Sequence, residues 1–362
     1  MKKAFWLLVV AVLTVGALIA CTGATYEIAL VTDIGNIDDK SFNEGAWNGV
    51  VEYAVANDIS YAYYRPLEDS KDARVETIQN AIAKGAKVVV CPGYMFEVAI
   101  YEVQNDYPDV SFLILDGEPQ LGDYSTYETA SNTHSILYKE EQAGYLAGYA
   151  AVQDGYRELG FVGGQAVPAV IRYGYGFVQG AEAAAVELEL TDVYIKYYYA
   201  DVFWPDTALE TKMDGWYADA THPTEVVFAC GGGLYASVVA AAEATTDGKV
   251  IGVDVDQVAQ SAEGRIITSA MKGLTSSVVD ALTALYANGG TWPATLGGHT
   301  SVLGAAEDGI GLPTATASWK FATFTVAEYD AIFAKLVDGT VVVSNSTAAA
   351  PTVTEVTVNY EA

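Results

Sequence analysis

The sequence predicts an α/β protein of two similar lobes, each a parallel sheet covered by helices on both faces. Three observations carry this prediction. Apolar, β-prone runs alternate with stretches of helical spacing along the chain. The pattern of the first half then returns: Lys87-Val88-Val89-Val90-Cys91-Pro92-Gly93 is echoed by Glu225-Val226-Val227-Phe228-Ala229-Cys230-Gly231. Each echo is followed at nearly the same offset by an aspartate that closes an apolar strand, 25 residues from Cys91 to Asp116 and 24 from Cys230 to Asp254. Duplication of one unit accounts for the offsets as well as the runs.

Taken in order, Tyr26 to Thr32 is a strand, and Glu44 to Ala56 a helix with Trp47, Val50, Val51 and Val55 on one side. A helix over Ala73 to Lys84, a strand over Ala86 to Cys91, a helix over Met95 to Asn105 and a strand over Val110 to Asp116 follow. The second half repeats this with strands at Leu159 to Gly163, Val193 to Tyr199, Val226 to Cys230 and Lys249 to Asp254. Helices over Gly176 to Leu188, Leu209 to Ala218 and Leu234 to Ala244 lie between them. Val341 to Ala362 is a low-complexity Ser/Thr/Ala/Val tail to which the pattern assigns no element.

The chain has 362 residues, 51% of them hydrophobic, enough for two ordinary cores. Lys+Arg 18 against Asp+Glu 46 leaves a formal charge of −28, which repels phosphate backbones and argues against nucleic-acid binding. The acids are scattered among apolar residues, so this is not the composition of disorder. Lys2 and Lys3 followed by the apolar run Phe5 to Ala20 read as a signal peptide over 1–20. Leu18-Ile19-Ala20-Cys21 resembles a bacterial lipobox, which implies cleavage before Cys21, lipidation of its sulfur and a membrane-tethered body outside the cytoplasm. Cys91 and Cys230 end apolar strands in different lobes and are expected to be buried free thiols without a disulfide.

Open α/β sheets bind ligands at the carboxyl ends of their strands. Asp33, Asp116 and Asp254 stand there, after Val31-Thr32, Ile114-Leu115 and Gly252-Val253. Carboxylates accept hydrogen bonds only, so such a cleft suits sugar hydroxyls or amino and ring N–H groups. Catalytic and metal chemistry has little support. His134, His222 and His299 have no metal-ligand spacing, and no nucleophile-elbow or phosphate-loop motif occurs. Asp33 to Glu44 has the acidic ends of a calcium loop but Asp38 where glycine is required. Gly174 to Gly180 has the wrong glycine spacing for a dinucleotide loop and reads as a turn leading into a helix. No cofactor is expected, and binding is favoured over an enzymatic reading.

Val31-Thr32-Asp33-Ile34-Gly35-Asn36-Ile37-Asp38-Asp39-Lys40-Ser41-Phe42-Asn43, with Trp47 and Gly49 after it, resembles the signature of the basic membrane lipoproteins, also called purine nucleoside receptors. Further matches are Phe112 to Gly117, Glu140 to Gly148, Gly160 to Gly164, Phe228 to Gly232, Val250 to Gln257 and Thr268 to Lys272. The resemblance implies an ABC-importer substrate-binding lipoprotein with the type I periplasmic-binding-protein fold: two Rossmann-like lobes with parallel sheets, joined by three crossovers. Those crossovers are expected near residues 130, 267 and 301. They divide the chain into an N-terminal lobe of 21–131 plus 267–300 and a C-terminal lobe of 132–266 plus 301–362.

The same resemblance implies a purine nucleoside between the lobes and a membrane permease as partner. Phe42 would stack one face of the base and Phe203, or its neighbour Trp204, the other. Asp33 and Asp116 would accept from the base edge or neighbouring groups, and Asp254 from ribose hydroxyls. Gly231 would admit backbone to the ligand, and Lys272 would donate to ribose or a ring nitrogen. Asn43 and Trp47 are expected to serve helix entrance and lobe core. A sugar or other small metabolite on the same fold, or a surface interaction lipoprotein, remain the alternatives.

Overall fold

A computed structural model describes residues 25–361; the expected signal peptide over 1–20 and the expected lipidation site Cys21 lie outside the described residues. The first half runs β1 (Ile28–Val31), α1 (Phe42–Ala56), β2 (Tyr61–Tyr64), α2 (Lys71–Ala83), β3 (Val88–Pro92), α3 (Glu97–Val103), β4 (Ser111–Leu115) and β5 (Thr133–Tyr138). The second runs α4 (Glu140–Gln153), β6 (Glu158–Gly163), α5 (Pro168–Glu187), β7 (Val193–Tyr199), α6 (Thr207–Tyr217), β8 (Val226–Cys230), α7 (Tyr235–Glu243), β9 (Lys249–Asp254) and β10 (Ile266–Lys272). The chain then forms α8 (Leu274–Ala287), β11 (His299–Leu303), β12 (Ile310–Gly311), α9 (Val326–Val337) and β13 (Val356–Tyr360).

Among the described residues the strands make two sheets, ordered β11-β5-β4-β3-β1-β2 and β12-β10-β9-β8-β6-β7-β13. Their pairings are parallel except where β12 runs against β10. Parallel strands covered on both faces need apolar side chains pointing both ways. The first sheet does this residue by residue. Ile28, Leu30, Val88, Val90, Leu113 and Leu115 enter one core, while Ala29, Val31, Val89, Cys91, Phe112 and Ile114 enter another. This is the two-lobed α/β architecture with three crossovers expected from the sequence.

Strand membership moves the crossovers. β5 and β11 belong to the first sheet and β10 to the second. The chain therefore changes lobe at Lys139, Gly273 and Gly304, later than the expected boundaries at 131/132, 266/267 and 300/301. The reason is that each connecting strand completes its pairing before the chain leaves the sheet. Hydropathy marks a buried strand without saying which sheet it joins.

One further expectation is corrected. Gly174 to Gly180 is the interior of α5, not a turn leading into it. A Cβ on Gly176 would lie 2.1 Å from the Glu141 oxygen, and one on Gly180 2.0 Å from that of Tyr145. On the facing helix, a Cβ on Gly144 would lie 2.0 Å from the Tyr173 oxygen and one on Gly148 2.1 Å from that of Phe177. The glycines thus let α4 and α5 pack backbone to backbone. The tail, whose order the sequence left open, ends in a strand: β13 pairs with β7, Val356 opposite Val193 through Tyr360 opposite Tyr197. Glu182 on α5 accepts from the Thr354, Glu355 and Val356 amides and so anchors that strand. Cys91 and Cys230 are free and buried in separate sheets.

Candidate ligand-binding site

The duplicated unit has the same local geometry in both lobes. Gly93 follows β3 at φ 112° and Gly231 follows β8 at φ 140°, a backbone region that favours glycine. A 3₁₀ turn follows each, Tyr94–Phe96 and Gly232–Leu234, and then α3 or α7. Counted from these glycines, Asp116 and Asp254 both come 23 residues later (116 − 93 and 254 − 231). Both adopt left-handed backbone, φ 57° and 66°, at the carboxyl ends of β4 and β9. A short polar side chain tolerates that conformation, and it turns each carboxylate out of the strand.

The facing strand ends enclose a cavity of about 960 Å³. All eight sequence-predicted positions line it: Asp33, Phe42, Asp116, Phe203, Trp204, Gly231, Asp254 and Lys272. Phe42 opens α1, whose first turn is capped by Asp39, accepting from the Ser41, Asn43 and Glu44 amides at 2.9–3.1 Å. Its ring sits over Gly93, 3.7 Å from where a Cβ would be. Phe203 mirrors this in the other lobe. A Cβ on Gly164 would come 2.4 Å from its ring and one on Gly231 2.9 Å. Its loop is held by the Gly233 amide, 2.9 Å from the Phe203 carbonyl, and by Asp206, which caps α6. Trp204 is 49% exposed, at the rim.

Charge gathers on the cavity floor. Lys272, last residue of β10, donates to Asp116 and lies 3.1 Å from Glu140 Oε1. Its Nζ is 5.0 Å from the Phe42 ring centre and 5.3 and 5.5 Å from those of Tyr138 and Tyr173. Burial pushes the Asp116 carboxyl up to about 7, with Lys272 opposing only in part. Burial alone would lower Lys272, but Asp116, Glu140 and Asp254 outweigh it and hold the ammonium above its usual range. Asp254 is raised by burial and accepts from Ser41 Oγ at 2.5 Å, across the cleft. Asp33 is likewise raised by burial, and its Oδ1 accepts from the Gly35 amide at 2.5 Å and Asn43 Nδ2 at 3.0 Å. The lobes also meet through Tyr94 Oη on Gln165 Oε1 (3.0 Å) and Gln257 Nε2 on the Lys40 carbonyl (2.8 Å).

Sequence reasoning missed part of this site. Asn43, assigned to helix entrance, also lines the cavity. Trp47 packs against the lobe core as expected, its ring centre 5.6 and 5.5 Å from those of Tyr61 and Tyr63. Tyr94, Arg172 and Tyr173 line the cavity, and Glu140 stands behind Lys272, without having been singled out. The available signal was Glu140-Glu141, two acids opening an otherwise apolar helix.

The chain is 26% identical over 243 residues to the ABC transporter nucleoside-binding protein BmpA of Lactococcus lactis subsp. cremoris, an alignment covering 64% of each chain. It is 28% identical over 308 residues to the CD4+ T-cell-stimulating antigen of Listeria monocytogenes, covering 79% of this chain and 80% of that protein. A solved ABC-transporter solute-binding protein from Aeropyrum pernix superposes with a TM-score of 0.67 at 20% identity, over 87% of this chain and 86% of the other, a likeness of fold. The family description "ABC transporter substrate-binding protein PnrA-like" matches residues 27–334, and the chain belongs to that family.

Proposed function

We propose that this protein binds a purine nucleoside in the interlobe cleft and delivers it to a membrane permease, held at the membrane by lipid on Cys21. The observation that carries the reading is the pair of rings, Phe42 and Phe203, one in each lobe, each laid beside the positive-φ glycine of its own lobe. Ring faces suit any flat heterocycle, at about 1–3 kcal/mol per stacked base. The carboxylates of Asp33, Asp116 and Asp254 supply acceptors for amino, ring N–H and ribose hydroxyl donors, and Lys272 supplies a donor. Buried acceptors of this kind reject analogues that lack the matching donor. The nucleoside-binding name of the L. lactis relative adds support. The ligand is bound and released without chemical change.

Isothermal titration of the chain from residue 22 onward with adenosine, guanosine, inosine, ribose and galactose tests this. Nucleoside heat is expected, with the nucleoside recovered intact by chromatography. Tight sugar binding without nucleoside heat would support the sugar alternative, and no heat from any of them would support a surface interaction role. The mass of the amino-terminal peptide from membrane-expressed protein checks the lipid on Cys21.

A further inference from the structure

One charged residue stands behind the cleft wall, paired with an arginine, Arg172, that lines it. Glu140, the first residue of α4, is wholly buried and is not part of the cavity lining. Its Oε2 lies 2.6 Å from Arg172 Nε on α5 and its Oε1 3.1 Å from Lys272 Nζ. The backbone-to-backbone packing of α4 on α5, with Gly176 against Glu141, holds the two helix starts in fixed register. An isolated carboxylate buried this deeply would take up a proton. Burial does push Glu140 that way, but Lys272 and Arg172 outweigh it and keep the group ionised.

Lys272 therefore stands between two carboxylates from different lobes, Glu140 behind it and Asp116 in front. The second oxygen of Asp116, Oδ1, is buried with no partner among the described residues, at a position that lines the cavity. Building on the nucleoside reading of the cleft, we propose that Glu140 is a positioning residue: with Arg172 as its counter-charge it aims the Lys272 ammonium and sets how readily Asp116 holds a proton, without touching the ligand.

The charge count gives the direction. Asp116, Glu140 and Asp254 against Lys272 and Arg172 leave one net negative charge when all are ionised. Tyr138 at the end of β5, Tyr173 on α5 and Cys230 on β8 also feel the Asp116 charge, and burial keeps all three protonated. Glu141, beside Glu140 and 4.0 Å from Arg172, is pushed up to about 7, also by burial. Removing the Glu140 charge makes the cluster neutral and eases ionisation of Asp116. Removing the Arg172 charge leaves two net negative charges and opposes it. A unit charge at this range and depth is worth about tenfold or more in proton affinity, or about one pH unit.

The test is carboxyl NMR titration of Asp116 in the ligand-free chain from residue 22 onward, alongside inosine affinity across pH. Glu140→Gln should lower the Asp116 midpoint by about one unit, Arg172→Gln should raise it by as much, and the double variant should return near the starting value. Inosine affinity should change with pH about the same displaced midpoints. If Glu140→Gln fails to fold, Arg172→Gln reports the same relation with the opposite sign. Midpoints that stay put in folded variants overturn the proposal. If the unaltered chain gives no inosine heat while the midpoints move, the nucleoside reading fails and the positioning role stands. If inosine binds while neither midpoint nor affinity profile moves, the positioning role falls alone.

Discussion

Phe203 and Trp204 are adjacent and both line the cleft, and on the proposed nucleoside reading Phe203 is the stacking ring. The Phe203 ring is backed by Gly164 and Gly231, where an added Cβ would lie 2.4 and 2.9 Å from it. Trp204 is 49% exposed and has no such backing. A stacked base is worth about 1–3 kcal/mol, so Phe203→Ala should raise the nucleoside Kd about 5- to 150-fold. Trp204→Ala should stay within about threefold, because a solvated rim ring loses little that water does not replace. The assay is isothermal titration with inosine and, as a control, with ribose, which has no flat face. Thermal melts check folding. Phe203 is only half-buried, so its loss should cost less than the about 3–5 kcal/mol of a fully buried phenylalanine. Equal losses at the two positions, or a ribose affinity that falls as far as that of inosine, would refute the assignment of the second ring.

Three other expectations can be checked directly. Asp116 is raised from 3.8 to about 7 by burial, so the folded state binds more protons than the unfolded between those values, and the ligand-free protein should lose stability as pH rises through that window. Asp116→Asn should flatten that part of a melting-temperature profile. Gly176→Ala sets a Cβ 2.1 Å from the Glu141 oxygen and should destabilise by about 3 kcal/mol or more, read by urea unfolding. Cys91 and Cys230 are buried, and burial raises both thiols, so a water-soluble thiol reagent should label neither until denaturant is added.

The parts of this protein legible in the sequence are those that local chemistry dictates. Val88-Val89-Val90 must be a strand buried on both faces, and the Gly93 and Gly231 echo with its matching aspartate offsets announced the duplicated unit. Asp33 and Phe42, in one contiguous motif, and Lys272, in another, could be named from the sequence, and they do line one cavity with Asp116 and Asp254. Tertiary structure decided what depends on partners far away along the chain. Strand pairing alone assigned β5 and β11 to one sheet and β10 to the other, which moved each crossover. The α5 glycines looked like a turn because their reason is the α4 backbone opposite, and β13 looked like tail because its partner is β7. Glu140 and Arg172 went unnoticed for the same cause. A buried charge is tolerable only where an opposite one comes to meet it, and that meeting, from residues 32 positions apart on two helices and a lysine on a third element, is created by packing rather than by local sequence.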